Sequence, residues 1–201
     1  MTRFSRAVAA QDPDSSRVCR LLAQRLYLVR EALVALDAGE PQDAHLVVRA
    51  SDGGSHAHTF AQELVAMYRA WAEKRGMKLD ELDPARGAPR STARFAISGF
   101  AASRILMAED GLHVLETPRR EGSFTRAGAV VQVTPVAPAA EGSELSVRAR
   151  GMRPQHSLTP EVVRRYRREP SPLVRDRSGW RTGRLQAVLG GDFDLFANTD
   201  A

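Results

Sequence analysis

Starting at Phe60, the apolar residues Leu64, Met67, Tyr68 and Trp71 fall four, seven, eight and eleven positions further on, tracing one face of a helix. The spacing predicts a helix over Thr59–Arg75, closed by the cationic Lys74-Arg75 and by Gly76. Ahead of it the run Leu46-Val47-Val48 predicts a strand over Ala44–Ala50, and the pair Gly53-Gly54 marks the turn between strand and helix. Ser55 or Thr59 is placed to supply an N-cap oxygen. Paired glycines at such a turn let backbone come close to a ligand, often a phosphate, at the positive end of a helix.

The same reading extends along the chain. Residues 1–12 have the composition of a tail. Pro13-Asp14-Ser15-Ser16 then opens a helix that carries Val18, Leu22, Leu26, Val29, Leu33 and Leu36 on one stripe and stops at Gly39. A lone helix of this length must pack on something, either the following domain or a partner, and Cys19 reads as one of its small core residues. Strands are predicted over Met77–Leu82, Arg90–Ser98, Gly111–Leu115 and Ala129–Val133, the last stopped by Pro135. A short helix over Phe100–Glu109 turns Ala102, Ile105 and Leu106 inward, and Pro118–Arg126 reads as a basic loop. Val136–Gly142 has linker composition, followed by a strand at Glu144–Arg148, a loop tip at Gly151–His156, a short strand at Leu173–Arg175 and a helix near Gly183–Leu189. Strands alternating irregularly with single helices give an α+β fold.

Charge adds a direction to this outline. The chain of 201 residues carries a net charge of +5, and from Pro118 to Arg184 there are fourteen Arg and no Lys against six acids. That surplus favours a polyanionic partner, most simply nucleic acid. No apolar run approaches the ~20 residues of a membrane span, no signal-peptide core follows Met1, and Cys19 is the sole cysteine. A cytoplasmic protein away from membranes is the expectation.

Catalytic and metal motifs are sparse. His56 and His58, two apart on a turn, do not share a helix face, and no cysteine or carboxylate pair lies beside them, so no metal is expected. Gly53-Gly54 is not followed by Gly-Lys-Ser, which excludes a nucleotide P-loop, and no cofactor is implied.

Two ungapped stretches carry a family resemblance. Gly53-Gly54-Ser55-His56-Ala57 followed by Leu64, Met67-Tyr68, Trp71-Ala72-Glu73, Arg75-Gly76 and Lys78 is one; Ile97-Ser98-Gly99, Ala102, Leu106, Glu109, Gly111, His113 and Leu115 is the other. Together they resemble the codon-recognition domain of bacterial class I peptide chain release factors, most nearly the release factor 2 type. Further on, Gly151-Met152-Arg153-Pro154-Gln155-His156 stands where that family has its Gly-Gly-Gln loop. Val163-Arg164 matches a Val-Arg pair, and Arg175-Asp176-Arg177-Ser178 resembles a later family segment. The resemblance implies a tail and single helix over residues 1–42, a codon-recognition-like domain over 43–138, and a small α/β loop domain over 139–201. The strands that follow the loop domain in the family are expected to be missing.

What the resemblance implies for function follows position by position. Gly53, Gly54, Ser55, His56, Thr117, Pro118 and Arg119 are the codon-facing residues, although His56 replaces a codon-reading glutamate and Thr117-Pro118-Arg119 replaces the family tripeptide. Arg120, Arg126, Arg150, Arg164 and Arg177 are the candidates for rRNA phosphates. Gln155 is the candidate for positioning water against a peptidyl-tRNA ester. Arg153 and Pro154 occupy the places of the two glycines, and proline fixes its own φ while pushing Arg153 from the helical region. A glutamine without the loop's geometry loses the positioning that supplies most of the rate, so the chain is expected not to be an enzyme. The expected role is a release-factor-like protein binding the ribosomal A site in termination or rescue, with rRNA, mRNA and peptidyl-tRNA as partners. The alternative is a ribosome-binding or adaptor module that kept the scaffold and lost both stop-codon reading and hydrolysis.

Overall fold

The computed structural model describes residues 13–83, 92–119, 123–136 and 160–196. Helix α1 (Pro13–Asp37) leads into strand β1 (Asp43–Ala50), helix α2 (Ser55–Arg75), β2 (Lys78–Glu81), β3 (Thr92–Ser98), helix α3 (Ala102–Met107), β4 (Gly111–Pro118) and β5 (Phe124–Val136). After residue 159 come β6 (Val162–Arg167), β7 (Leu173–Asp176) and β8 (Arg181–Thr182). The described chain ends in α4 (Leu185–Ala187), a π turn over Val188–Asp192, and α5 (Phe193–Phe196).

The eight strands of the described residues form one sheet in the order β2-β3-β1-β5-β4-β6-β7-β8, and the strand expected over Glu144–Arg148 lies outside those residues. Neighbours are antiparallel except β4 and β6, which run parallel. The α+β class holds. The boundary expected at residue 138 does not divide the sheet, because β6–β8 are three further strands added to the edge of β4.

Alternation decides which face is covered. Ala127, Ala129, Val131 and Val133 of β5 are buried with Ala44, Leu46 and Val48 of β1 and Phe95 and Ile97 of β3. Phe60, Leu64, Met67, Tyr68 and Trp71 of α2 pack on that face, so the sequence spacing identified the core helix correctly. Their helix begins at Ser55, earlier than expected. Pro135 does not stop β5: its neighbour β4 has ended by Val131, and Val133 N–H already turns to Asp110 Oδ1 at 2.8 Å. The missing N–H of Pro135, two residues on, lies on that same unpaired side.

Gly111 sets the β4–β6 junction. A Cβ there would sit 2.3 Å from Val163 Cγ2 and 2.8 Å from Glu161 O, so only glycine lets the parallel strand approach. The register shifts at this point, between Leu112 and His113. On the other side of the core, Gly191 (φ +94°) lies against the backbone of Trp71, where a Cβ would come within 2.5 Å of the amide nitrogen. That contact seats the C-terminal segment on α2, with Phe193 against Tyr68 and Trp71.

Helix α1 is oriented against expectation. Val18, Leu22, Leu26, Val29, Leu33 and Leu36 face solvent, from 52% exposed at Val29 to 69% at Leu26, and Cys19 is exposed as well. The buried side is Leu28, Ala32 and Ala35. Alanines allow close approach to the body, and polar ties fix the angle: Arg104 donates to Glu31 (3.1 Å) and Glu40 (2.9 Å), and Arg25 to Arg75 O (3.4 Å). Leu28→Ala should cost about 2–3 kcal/mol in denaturant unfolding, while Leu26→Ala, despite the longer apolar stripe it belongs to, should stay within about 0.5 kcal/mol.

Candidate nucleic-acid interface

β1, β4 and β6 run in the same direction, so their C-terminal ends share one end of the sheet. The turn Gly53–His56 follows β1 there, and Thr117-Pro118-Arg119 closes β4 at the same end. The hairpin of β4 and β5 outruns β1. Ala50 pairs with Ala129 and Ser51 N–H with Gly128 O (2.9 Å), leaving Phe124–Ala127 beyond them. At ~3.3 Å per residue the last pair of the hairpin, Pro118 with Phe124, stands roughly 13 Å past the Ser51–Gly128 pairing. The two predicted codon-facing segments thus lie at the same end of the sheet.

The turn itself differs from expectation. Gly54 is the N-cap with extended backbone, and neither Ser55 nor Thr59 caps the helix: Thr59 Oγ1 donates to Ser55 O at 3.0 Å. Asp52 Oδ1 takes the Gly54 N–H at 2.7 Å, and a Cβ on Gly54 would meet that oxygen at 2.8 Å. A carboxylate of the chain already stands at the positive end of the helix, where a phosphate was expected. His56 is exposed and free to face a partner.

The predicted phosphate contacts separate into three groups. Arg119 and Arg126 are exposed on the hairpin; Arg119 N–H bonds Ser123 O (2.8 Å), and Arg126 lies 3.7 Å from Glu116. Arg177 sits in the β7–β8 turn at the opposite end of the sheet, 4.0 Å from Glu161. That turn is built by Asp176, whose Oδ1 accepts from Ser178 Oγ (2.7 Å) and Trp180 N–H (3.0 Å). Arg164 is a correction: its side chain is 3% exposed and its guanidinium donates twice to Glu109, at 2.9 and 2.6 Å. It is committed to the core and cannot reach RNA. Arg120, Arg150 and the loop residues Gly151, Arg153, Pro154, Gln155 and His156 lie outside the described residues.

Around that ion pair is a buried polar cluster absent from the sequence reading. Glu109 also accepts from Tyr68 (3.3 Å), and Arg164 lies 5.6 Å from the centre of the Phe193 ring. His113 is fully buried. Its Nε2 is 2.9 Å from Glu109 O, which can only accept, so the proton sits on Nε2 and Nδ1 accepts from Tyr166 Oη at 3.1 Å. Burial, aided by the Arg164 charge, holds the imidazole pKa down to about 3, and burial raises that of the Glu109 carboxyl. A second buried pair joins Arg75 Nε to Asp194 Oδ2 (2.9 Å), which also takes the Trp71 indole N–H (3.0 Å). The alternation Val163-Arg164-Arg165-Tyr166, read as a strand, puts 164 beside 166 on one face; only the loss of strand signal in an arginine-rich run hid it. Between α1 and α3 a groove of about 530 Å³ is lined by Tyr27, Glu31, Glu40 and Arg104, whose charges are already paired with one another.

Placed beside known proteins, this geometry has relatives. The PCRF domain family matches residues 8–123, more than half of the sequence. The chain belongs to this family, the one that carries the PCRF domain of peptide chain release factors. It is 32% identical over 179 residues to peptide chain release factor 1 of Paracoccus denitrificans, covering 82% of this chain and 50% of that protein. It is 31% identical over 172 residues to peptide chain release factor 2 of Ruegeria sp., covering 77% and 45%. The fold is similar to RF2 of Thermus thermophilus, with a TM-score of 0.56 at 19% identity over 78% of this chain and 66% of that one. The chain spans about half the length of the curated relatives it matches.

Two measurements test the cluster. Glu109→Gln leaves the Arg164 charge buried and unpaired and should cost about 3–5 kcal/mol in denaturant unfolding. The unfolded chain protonates His113 near 6.5 while the folded one resists to about 3, so stability falls as pH drops through that window. Between pH 7 and 5 the wild type should lose about 2 kcal/mol more than His113→Gln.

Proposed function

We propose that this protein binds the ribosome at the decoding end of the A site and works in translation termination or ribosome rescue, as a cytoplasmic factor. The observation that carries this reading is the placement of the Gly53–His56 turn and the Thr117-Pro118-Arg119 segment at the same end of the sheet of a release-factor fold. Arg119 and Arg126 on the β4–β5 hairpin supply sequence-independent contacts to rRNA or mRNA phosphates. His56 and the altered tripeptide support binding without a strict stop-codon requirement.

Hydrolysis is a separate matter. Arg153-Pro154 ahead of Gln155 supports the reading in which the factor occupies the site without releasing the nascent chain in the family's manner. Sedimentation with 70S ribosomes tests the first part: the wild type should pellet with ribosomes at 100 mM salt, equally on stop and sense codons. Arg119→Glu combined with Arg126→Glu should weaken binding about tenfold or more and lower the slope of log affinity against log salt by about 2. Failure to pellet even at low salt overturns the reading. A release assay with labelled peptidyl-tRNA tests the second part. Turnover that is lost in Gln155→Ala would restore hydrolysis to this protein.

A further inference from the structure

The sheet has a second face, turned away from α2, and the strand register places arginines there that are far apart in the sequence. Arg165 of β6 is directly opposite Arg175 of β7, which is directly opposite Arg181 of β8. Arg165 is also level with Val114 of β4, and Val114 with Gly128 of β5, beside the foot of the glycine turn. One step toward the hairpin, Arg126 of β5, Glu116 of β4 and Arg167 of β6 form the next row. Arg175 and Arg181 are exposed, and neither has an ion pair among the described residues. Glu116 is the one acid in these rows: it accepts from Arg165 at 3.2 Å and lies 3.7 Å from Arg126, so a single carboxylate serves two guanidinium groups. The next acid along, Asp176, lies on the core-facing side of β7 and is occupied by its own turn.

Like charges directly opposite on adjacent strands destabilise a sheet. Three stand in a row on strands about 4.8 Å apart, and of them only Arg165 has a carboxylate among the described residues, one it shares with Arg126, so a repulsion remains in the free protein that a line of phosphates would relieve. We propose that Arg165, Arg175 and Arg181 form an RNA-backbone track that continues from the β4–β5 hairpin across the outer side of β6–β8. The partner is a ribosomal RNA strand lying across β6–β8, so the protein contacts the ribosome by this face as well as by its tip. The proposal rests on the ribosome-binding reading above and adds to it the face that meets RNA.

The test is the variant Arg165→Gln/Arg175→Gln/Arg181→Gln, compared with wild type and with the hairpin variant Arg119→Glu/Arg126→Glu. The row variant should lose about tenfold or more in affinity for 70S ribosomes at 100 mM salt, and its log–log salt slope should fall by about 2–3. Its thermal midpoint should stay close to that of the wild type, because relief of the repulsion offsets loss of the half-exposed Arg165–Glu116 pair; a purely structural role for the row would lower it. If the row variant binds within twofold of wild type with an unchanged slope while the hairpin variant binds weakly, the track is overturned and ribosome binding stands. If the wild type does not bind ribosomes, both are overturned. If it binds vesicles containing phosphatidylserine through these arginines and not ribosomes, the partner is a lipid surface and the inference is wrong.

Discussion

The interaction on which the structure most depends is the ion pair of Glu109 and Arg164, sealed from water between α2, α3, β4 and β6. Two charges in such a place depend on their hydrogen bonds. Glu109 takes both terminal guanidinium nitrogens of Arg164 and the Tyr68 hydroxyl, while Arg164 Nε stays without a partner among the described residues. His113, bonded to the Glu109 backbone, and Tyr166, bonded to His113, pack the pair in. The pair also performs a topological task. It joins residues 55 positions apart, on either side of a long excursion of the chain, and so fixes β6 beside β4 in one register. Asp194 does the same for the C-terminal segment through Arg75 and Trp71. Hydrophobic burial alone would accept β6 slid by two residues; a bidentate guanidinium–carboxylate pair does not.

This arrangement changes what the shared motif residues mean. Glu109, Gly111, His113 and Arg164 are among the residues that identify the family, and all four lie in the core. They define a scaffold. The residues that distinguish this chain from the family pattern, His56 and Thr117-Pro118-Arg119, stand at the surface at one end of the sheet. A change in the buried cluster leaves an unpaired charge, whereas a change at the tip leaves only altered surface contacts.

Much of the fold was legible because one face of each element is apolar. The α2 stripe, the inward side of α3 and the strand β7 follow from spacing alone. Helix α1 was misjudged for a physical reason: its most apolar stripe faces solvent, and its docking is decided by small residues and by Arg104, Arg25 and Glu31, which amphipathic spacing does not register. The strand β6 was hidden by arginine, whose propensity and charge suggest a surface. Two of its three arginines, Arg165 and Arg167, are on that surface and Arg164 is in the core, a distinction that only the pairing of strands makes visible. The segments expected to face a codon came from the resemblance, but their shared position at one end of the sheet, and the Asp52 carboxylate at the helix start, required the fold.

The continuous sheet also acts as a ruler. The chain leaves β5 at Val136 and returns at Val162, and both points lie at the end of the sheet away from the hairpin tip. Strand β5, running from Phe124 to Val136, holds that end roughly 40 Å from the hairpin end, so the arginines at the tip and the points where the chain leaves and rejoins the sheet are kept apart by the length of one strand.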